Sequence, residues 1–132
     1  MFNGRSYRVT CYVLREAGLE FELEQVDPKG YVPALQLDNG DVITEAAMVM
    51  QYLADQAAAA NLIAKPGTME RYRQQEWLNF IATELHKPLG ALFNPEITTE
   101  WKASQIATFG KRSDYLNQQL TGKKFLAGDQ LQ

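Results

Sequence analysis

Between Pro33 and Gln56 the hydrophobic pattern changes period, and that change limits the fold more than any other feature of the chain. PALQL at Pro33–Leu37 and DVI at Asp41–Ile43 flank Asp38-Asn39-Gly40. Asn-Gly supplies the positive φ angles of a tight primed turn, so these segments predict two antiparallel strands in a hairpin. From Thr44 the spacing becomes helical: Ala46, Val49, Met50 and Leu53 fall at i, i+3, i+4 and i+7. One face of that helix should cover the hairpin.

The flanking segments extend the pattern. RSYRVTCYVLREAG, from Arg5 to Gly18, reads as a helix with Val9, Tyr12 and Val13 on one face and a glycine stop. FELEQV at Phe21–Val26 alternates apolar and polar side chains as a strand does. After Gln56 the alanine run and the Pro66-Gly67 breaker predict a linker over Ala57–Pro66. Beyond it the signals are helical, from Thr68 to about Lys87 and from Thr98 to about Leu120, with Phe93-Asn94-Pro95 between them. The expected organisation is an α/β domain over 1–58 followed by an all-helical domain over 67–132.

Composition narrows the function. With 132 residues, a formal net charge of −3 and scattered Lys and Arg, the chain carries no basic footprint for nucleic acid. No stretch approaches the roughly 18 apolar residues that read as a membrane helix, and the start lacks a secretory pattern, so a cytoplasmic protein is expected. A single cysteine, Cys11, and a single histidine, His86, argue against an internal disulfide or a metal site. A small-molecule partner is the remaining expectation.

Three places can serve such a partner. An X-Pro bond entering a strand, Val32-Pro33, can be cis and turn the Val32 backbone outward to pair with an extended ligand; the alternative is a trans proline opening an edge strand. At the helix head, Glu45 can accept an ammonium while the amides at Ala46 face a carboxylate, unless the glutamate is only a first-turn acid. In EWLNFIATELHK, Leu78, Ile81, Ala82 and Leu85 form an apolar stripe. Asn79, Thr83 and His86, with Lys87 adjacent, form a polar one that faces either a cleft between the domains or water.

Taken together, VPALQLDNGDVITEAAMVMQYLADQ, MERYRQQEWLNFIATELHK and the LFNP that follows resemble the bacterial beta class of glutathione transferases over most of the chain. The resemblance implies a thioredoxin-like N-terminal domain followed by a helical one, glutathione as cosubstrate, and a homodimer. It gives Val32 and Pro33 the cysteinyl part of glutathione, Glu45 and Ala46 the γ-glutamyl end, and Asn79, His86 and Lys87 the lining of the active-site cleft. It also leaves several family elements without a counterpart: most of the first strand, a loop and helix at Asp27-Pro28, and everything after Gly128-Asp129.

Aligning LREAG with the family puts Ser6 where the beta class usually has cysteine, with Cys11 about a turn later. A serine at a helix head can donate to a bound thiolate, which makes Ser6 the catalytic candidate beside His86, or it can simply cap its helix. The expected reaction is attack of the glutathione thiolate on a small electrophile. Two readings stay open beside it: a glutathione-binding module without turnover, and a thiol-disulfide enzyme using Cys11, whose apolar neighbours Val9, Tyr12 and Val13 oppose a low thiol pKa.

Overall fold

The computed structural model describes residues 15–18 and 33–127. Ser6, Cys11, Val32 and the expected strand at Phe21–Val26 lie outside these residues. Of the expected first helix, residues 15 and 16 are described and helical, and Gly18, at φ 66°, donates its amide to the Arg15 carbonyl at 3.0 Å. The chain divides into two compact units between Ala64 and Lys65.

In the first unit, β1 (Ala34–Gln36) pairs antiparallel with β2 (Val42–Thr44). The register matches Ala34 with Thr44, Leu35 with Ile43 and Gln36 with Val42. The turn differs from the primed form the sequence predicts. Asn39 is not among the residues at positive φ, and only Gly40, at φ 89°, has left-handed backbone. The Gly40 amide donates to Leu37 at 2.9 Å and the Leu37 amide to Asp41 at 2.8 Å, the pattern of a three-residue connection ending in a bulged glycine. Asn39 explains the preference, because its Oδ1 accepts from the Asp41 amide at 3.0 Å and its Nδ2 donates to the Asp41 carboxylate at 2.7 Å.

Helix α1 (Ala46–Gln56) begins two residues later than Thr44, which the second strand retains. Val49 and Leu53 are buried at 0% and 4% exposure and pack on Leu35, Ile43 and Tyr52. The cross-strand pair Leu35–Ile43 is thus the floor and one helix face the roof of this core. Ala46, expected on that face, is exposed, because it stands on the first turn, a turn ahead of the Val49–Leu53 contact. A 3₁₀ turn at Ala58–Ala60 follows α1, and Asn61 closes it in the left-handed conformation.

The second unit is helical: α2 (Met69–Phe80), a π turn (Ile81–His86), α3 (Lys87–Ala91) and α4 (Thr99–Leu120). Two threonines start the long helices. Thr68 Oγ1 accepts from the Arg71 amide at 3.3 Å and Thr98 Oγ1 from the Trp101 amide at 3.2 Å. The helix does not stop at Lys87, as the sequence suggests, but runs on through Pro88 to Ala91. Proline has no amide to offer the carbonyl of residue 84, and its ring crowds that carbonyl. The i→i+5 register of Ile81–His86 relieves the crowding and lets the helix continue.

Candidate functional site

Because Ala34 pairs with Thr44, Pro33 and Glu45 come to the same end of the hairpin, one residue beyond that pair on each strand. Glu45 sits there at φ 70° and ψ 118°, backbone that a residue with a Cβ rarely adopts. A backbone strained in this way costs of order 1–3 kcal/mol and persists only where surrounding contacts fix it. Here the first hydrogen bonds of α1 do so, with the Met48 and Val49 amides donating to the Glu45 carbonyl at 2.9 and 3.0 Å. The Glu45 side chain makes no capping bond to its own helix and is exposed. Its carboxylate therefore differs from the first-turn acid of an ordinary capped helix.

The amides of Ala46 and Ala47 precede those two donors, and no acceptor among the described residues takes them. Ala46 is exposed and Ala47 half-buried, so nothing bulkier than a methyl group stands over these donors from their own side chains. One short stretch therefore offers two unlike features. A carboxylate suits an ammonium, and helix-head amides suit a carboxylate or another anion.

The other predicted residues lie in the second unit, on one continuous helical path. Asn79 is near the end of α2, Thr83 and His86 are in the π turn and Lys87 opens α3, all of them exposed. They do not form the single stripe that 3.6-residue periodicity suggests. A π turn adds about one residue to the winding, so His86 and Lys87 are turned by roughly 100° from the line through Asn79. Thr83 instead bonds back along the helix, donating its hydroxyl to the Asn79 carbonyl at 3.0 Å. Of the apolar stripe, Leu78 and Leu85 are half-buried while Ile81 is 40% exposed.

A second cluster in this unit escaped the sequence reading. Trp77 and Phe80 of α2 meet edge to face at 5.7 Å, and Tyr115 of α4 closes on both, at 6.1 and 5.4 Å. They line an open cavity of about 530 Å³ together with Arg73, Glu76 and Lys123. Arg73 donates to Glu76 at 2.7 Å, and that carboxylate raises the guanidinium pKa above its ordinary value. The i, i+3 spacing of Trp77 and Phe80 is the one sequence signal that this face existed. Among the described residues, no group of three or more His, Cys, Asp or Glu is placed to hold a metal ion, and no helix is long and apolar enough to cross a membrane.

Comparison with known proteins finds relatives over most of the chain. The family model for the glutathione S-transferase N-terminal domain matches residues 3–56. Glutathione S-transferase GstA of Escherichia coli O157:H7 is 40% identical over 131 residues, covering 87% of this chain; the chain spans 65% of that relative's length. The solved glutathione transferase from Methylococcus capsulatus superposes with a TM-score of 0.91 at 42% identity, over 99% of this chain and 73% of that one. A beta-class glutathione S-transferase from Sphingomonas chungbukensis gives a TM-score of 0.87 at 31% identity, over 99% and 73%. A sphingomonad glutathione S-transferase solved with glutathione bound gives 0.87 at 31%, over 96% and 71%.

Proposed function

The chain belongs to the glutathione S-transferase family, with a thioredoxin-like N-terminal domain and a helical region after it, and from that premise we propose that it binds glutathione and transfers its thiolate to small electrophiles. The observation that carries this reading is the strained Glu45 at the hairpin end it shares with Pro33, beside two amides that no acceptor among the described residues takes. Glutathione has an amino-acid terminus whose ammonium and carboxylate suit that pair of features. Glu45 takes the ammonium, the amides of Ala46 and Ala47 take the carboxylate, and the backbone of Val32 beside Pro33 pairs with the cysteinyl part. The glutathione complex of a sphingomonad relative supports the choice of ligand.

Four further residues follow from the family resemblance. Ser6 donates to the bound thiolate and favours the anion, so that the ligand's own sulfur is the nucleophile. The thiolate attacks the electrophilic carbon, the carbon–sulfur bond forms and the leaving group departs with the electron pair. Asn79 and Lys87 contribute to holding glutathione, and His86 serves the reacting end. The protein acts as a homodimer in the cytoplasm, in detoxification; exposed apolar side chains at the start of α2, Met69 and Tyr72, support pairing.

A second reading, a glutathione-binding module without turnover, is favoured by the serine at position 6 where the beta class usually has cysteine. Calorimetric titration of the full chain with glutathione, followed by assay with a standard aryl halide, tests both. Binding with turnover is expected. Binding without turnover selects the module, and no binding at millimolar glutathione rejects both.

A further inference from the structure

A π turn is a rare and poorly bonded geometry, so something outside it must hold it. Pro88 acts from below, by having no amide to complete an α-helical bond. From the side acts an ion pair: Arg112, on α4, donates its Nε to the Glu84 carboxylate at 2.7 Å across 28 residues of sequence. Glu84 lies inside the turn, with His86 two residues on and Lys87 directly after it. The turn fixes the rotation at which those two side chains are presented, about 100° from an uninterrupted helix.

We infer that Arg112 is a positioning residue, which through Glu84 holds the π turn and so sets where His86 and Lys87 stand. The inference rests on the proposed role of those two residues for its functional consequence, though not for its structural one. Arg112 suits the task because its planar donor fork fixes direction as well as distance, which a lysine ammonium does not. The pair is 46% and 40% exposed, so it adds little to global stability, and its effect should be local.

His86 is the only histidine in the chain, so its imidazole resonances are unambiguous in nuclear magnetic resonance spectra. Arg112→Gln and Glu84→Gln should both displace those resonances and the backbone amide signals of residues 81–87, with melting almost unchanged. Loss of the turn moves the imidazole signals in the same direction in both variants. Loss of a nearby charge alone leaves the backbone amide signals of residues 81–87 in place and moves the imidazole signals with opposite sign in the two variants, since one removes a positive and the other a negative group. The reversed pair, Glu84→Arg with Arg112→Glu, should bring the signals back toward the original. Turnover per bound glutathione should fall roughly two- to five-fold in each single variant, what a pair of this exposure can transmit, and recover in the reversed pair. Unchanged resonances in both single variants, or imidazole displacements of opposite sign with unmoved amides, overturn the inference. His86→Gln separates this from the functional reading: if that variant keeps full turnover, the site assignment fails, and the resonances alone decide the role of Arg112.

Discussion

Pro33 and Glu45 flank the Ala34–Thr44 pair, one on each strand, so a single cross-strand register brings to one place two residues separated by the whole hairpin. The register is held by the Leu35–Ile43 pair under Val49 and Leu53. Slipping one strand by one residue would turn either the leucine or the isoleucine away from the core. The ligand end of the hairpin is therefore defined by its apolar middle.

Glu45→Ala should weaken glutathione binding by roughly 1.5–3 kcal/mol, the loss expected for a charge-assisted hydrogen bond to an ammonium. Calorimetry on the full chain reads this directly. Glu45→Gln should recover only part of the loss, because the amide oxygen still accepts but the charge is gone. Equal affinities for all three proteins would take Glu45 out of the site.

Ser6→Ala should abolish the ultraviolet absorbance of bound thiolate at a pH where free glutathione is protonated, and slow conjugation by about 10²-fold, as losing one anion-stabilising donor does elsewhere. Cys11→Ala should leave turnover nearly intact. The opposite pair of results would move the chemistry to Cys11 and make it a thiol-disulfide reaction.

Leu53→Ala should destabilise the protein by about 2–5 kcal/mol, because Leu53 is 4% exposed and faces the two strands that carry the site. Urea denaturation measures the change. A loss under 1 kcal/mol would mean that the roof of this core can collapse onto Leu35 and Ile43.

Gly40→Ala has ample room, since nothing lies within 4 Å of an added methyl group, yet φ is 89° there. The cost is conformational, roughly 1–2 kcal/mol, and the denaturation midpoint should fall accordingly. A neutral result would show that the turn can adopt another form without disturbing the strands.

At micromolar concentration, sedimentation should give a dimer, and charge placed on the exposed apolar start of α2, as in Met69→Glu with Tyr72→Glu, should give monomers. A monomer from the unmodified chain would remove the pairing from the proposal.

Much of this was legible because it is local. The strands on either side of Asp38-Asn39-Gly40 and the switch to helical spacing before Ala46 depend on residues a few positions apart, and both were predicted. The form of the turn was not, because Asn-Gly serves a primed turn and a bulged one equally, and the choice lies in the Asn39–Asp41 bonds. Pro88 reads as the end of a helix unless the preceding turn is known to have changed register. The Trp77, Phe80 and Tyr115 cluster depends on α4 folding back, which no local pattern encodes. At the site, proline and glutamate were visible as residue types, while the strained φ of Glu45 was not.

The core of the first unit has a kinetic consequence. Leu35, Ile43, Val49 and Leu53 all lie in one short run of sequence, so bringing them together closes only small loops. A nucleus of this kind costs little chain entropy and forms early, before any contact with distant segments is required. The hairpin and α1 should therefore be able to assemble while the chain is still emerging from the ribosome, and the Pro33–Glu45 end would exist before the helical unit that follows it.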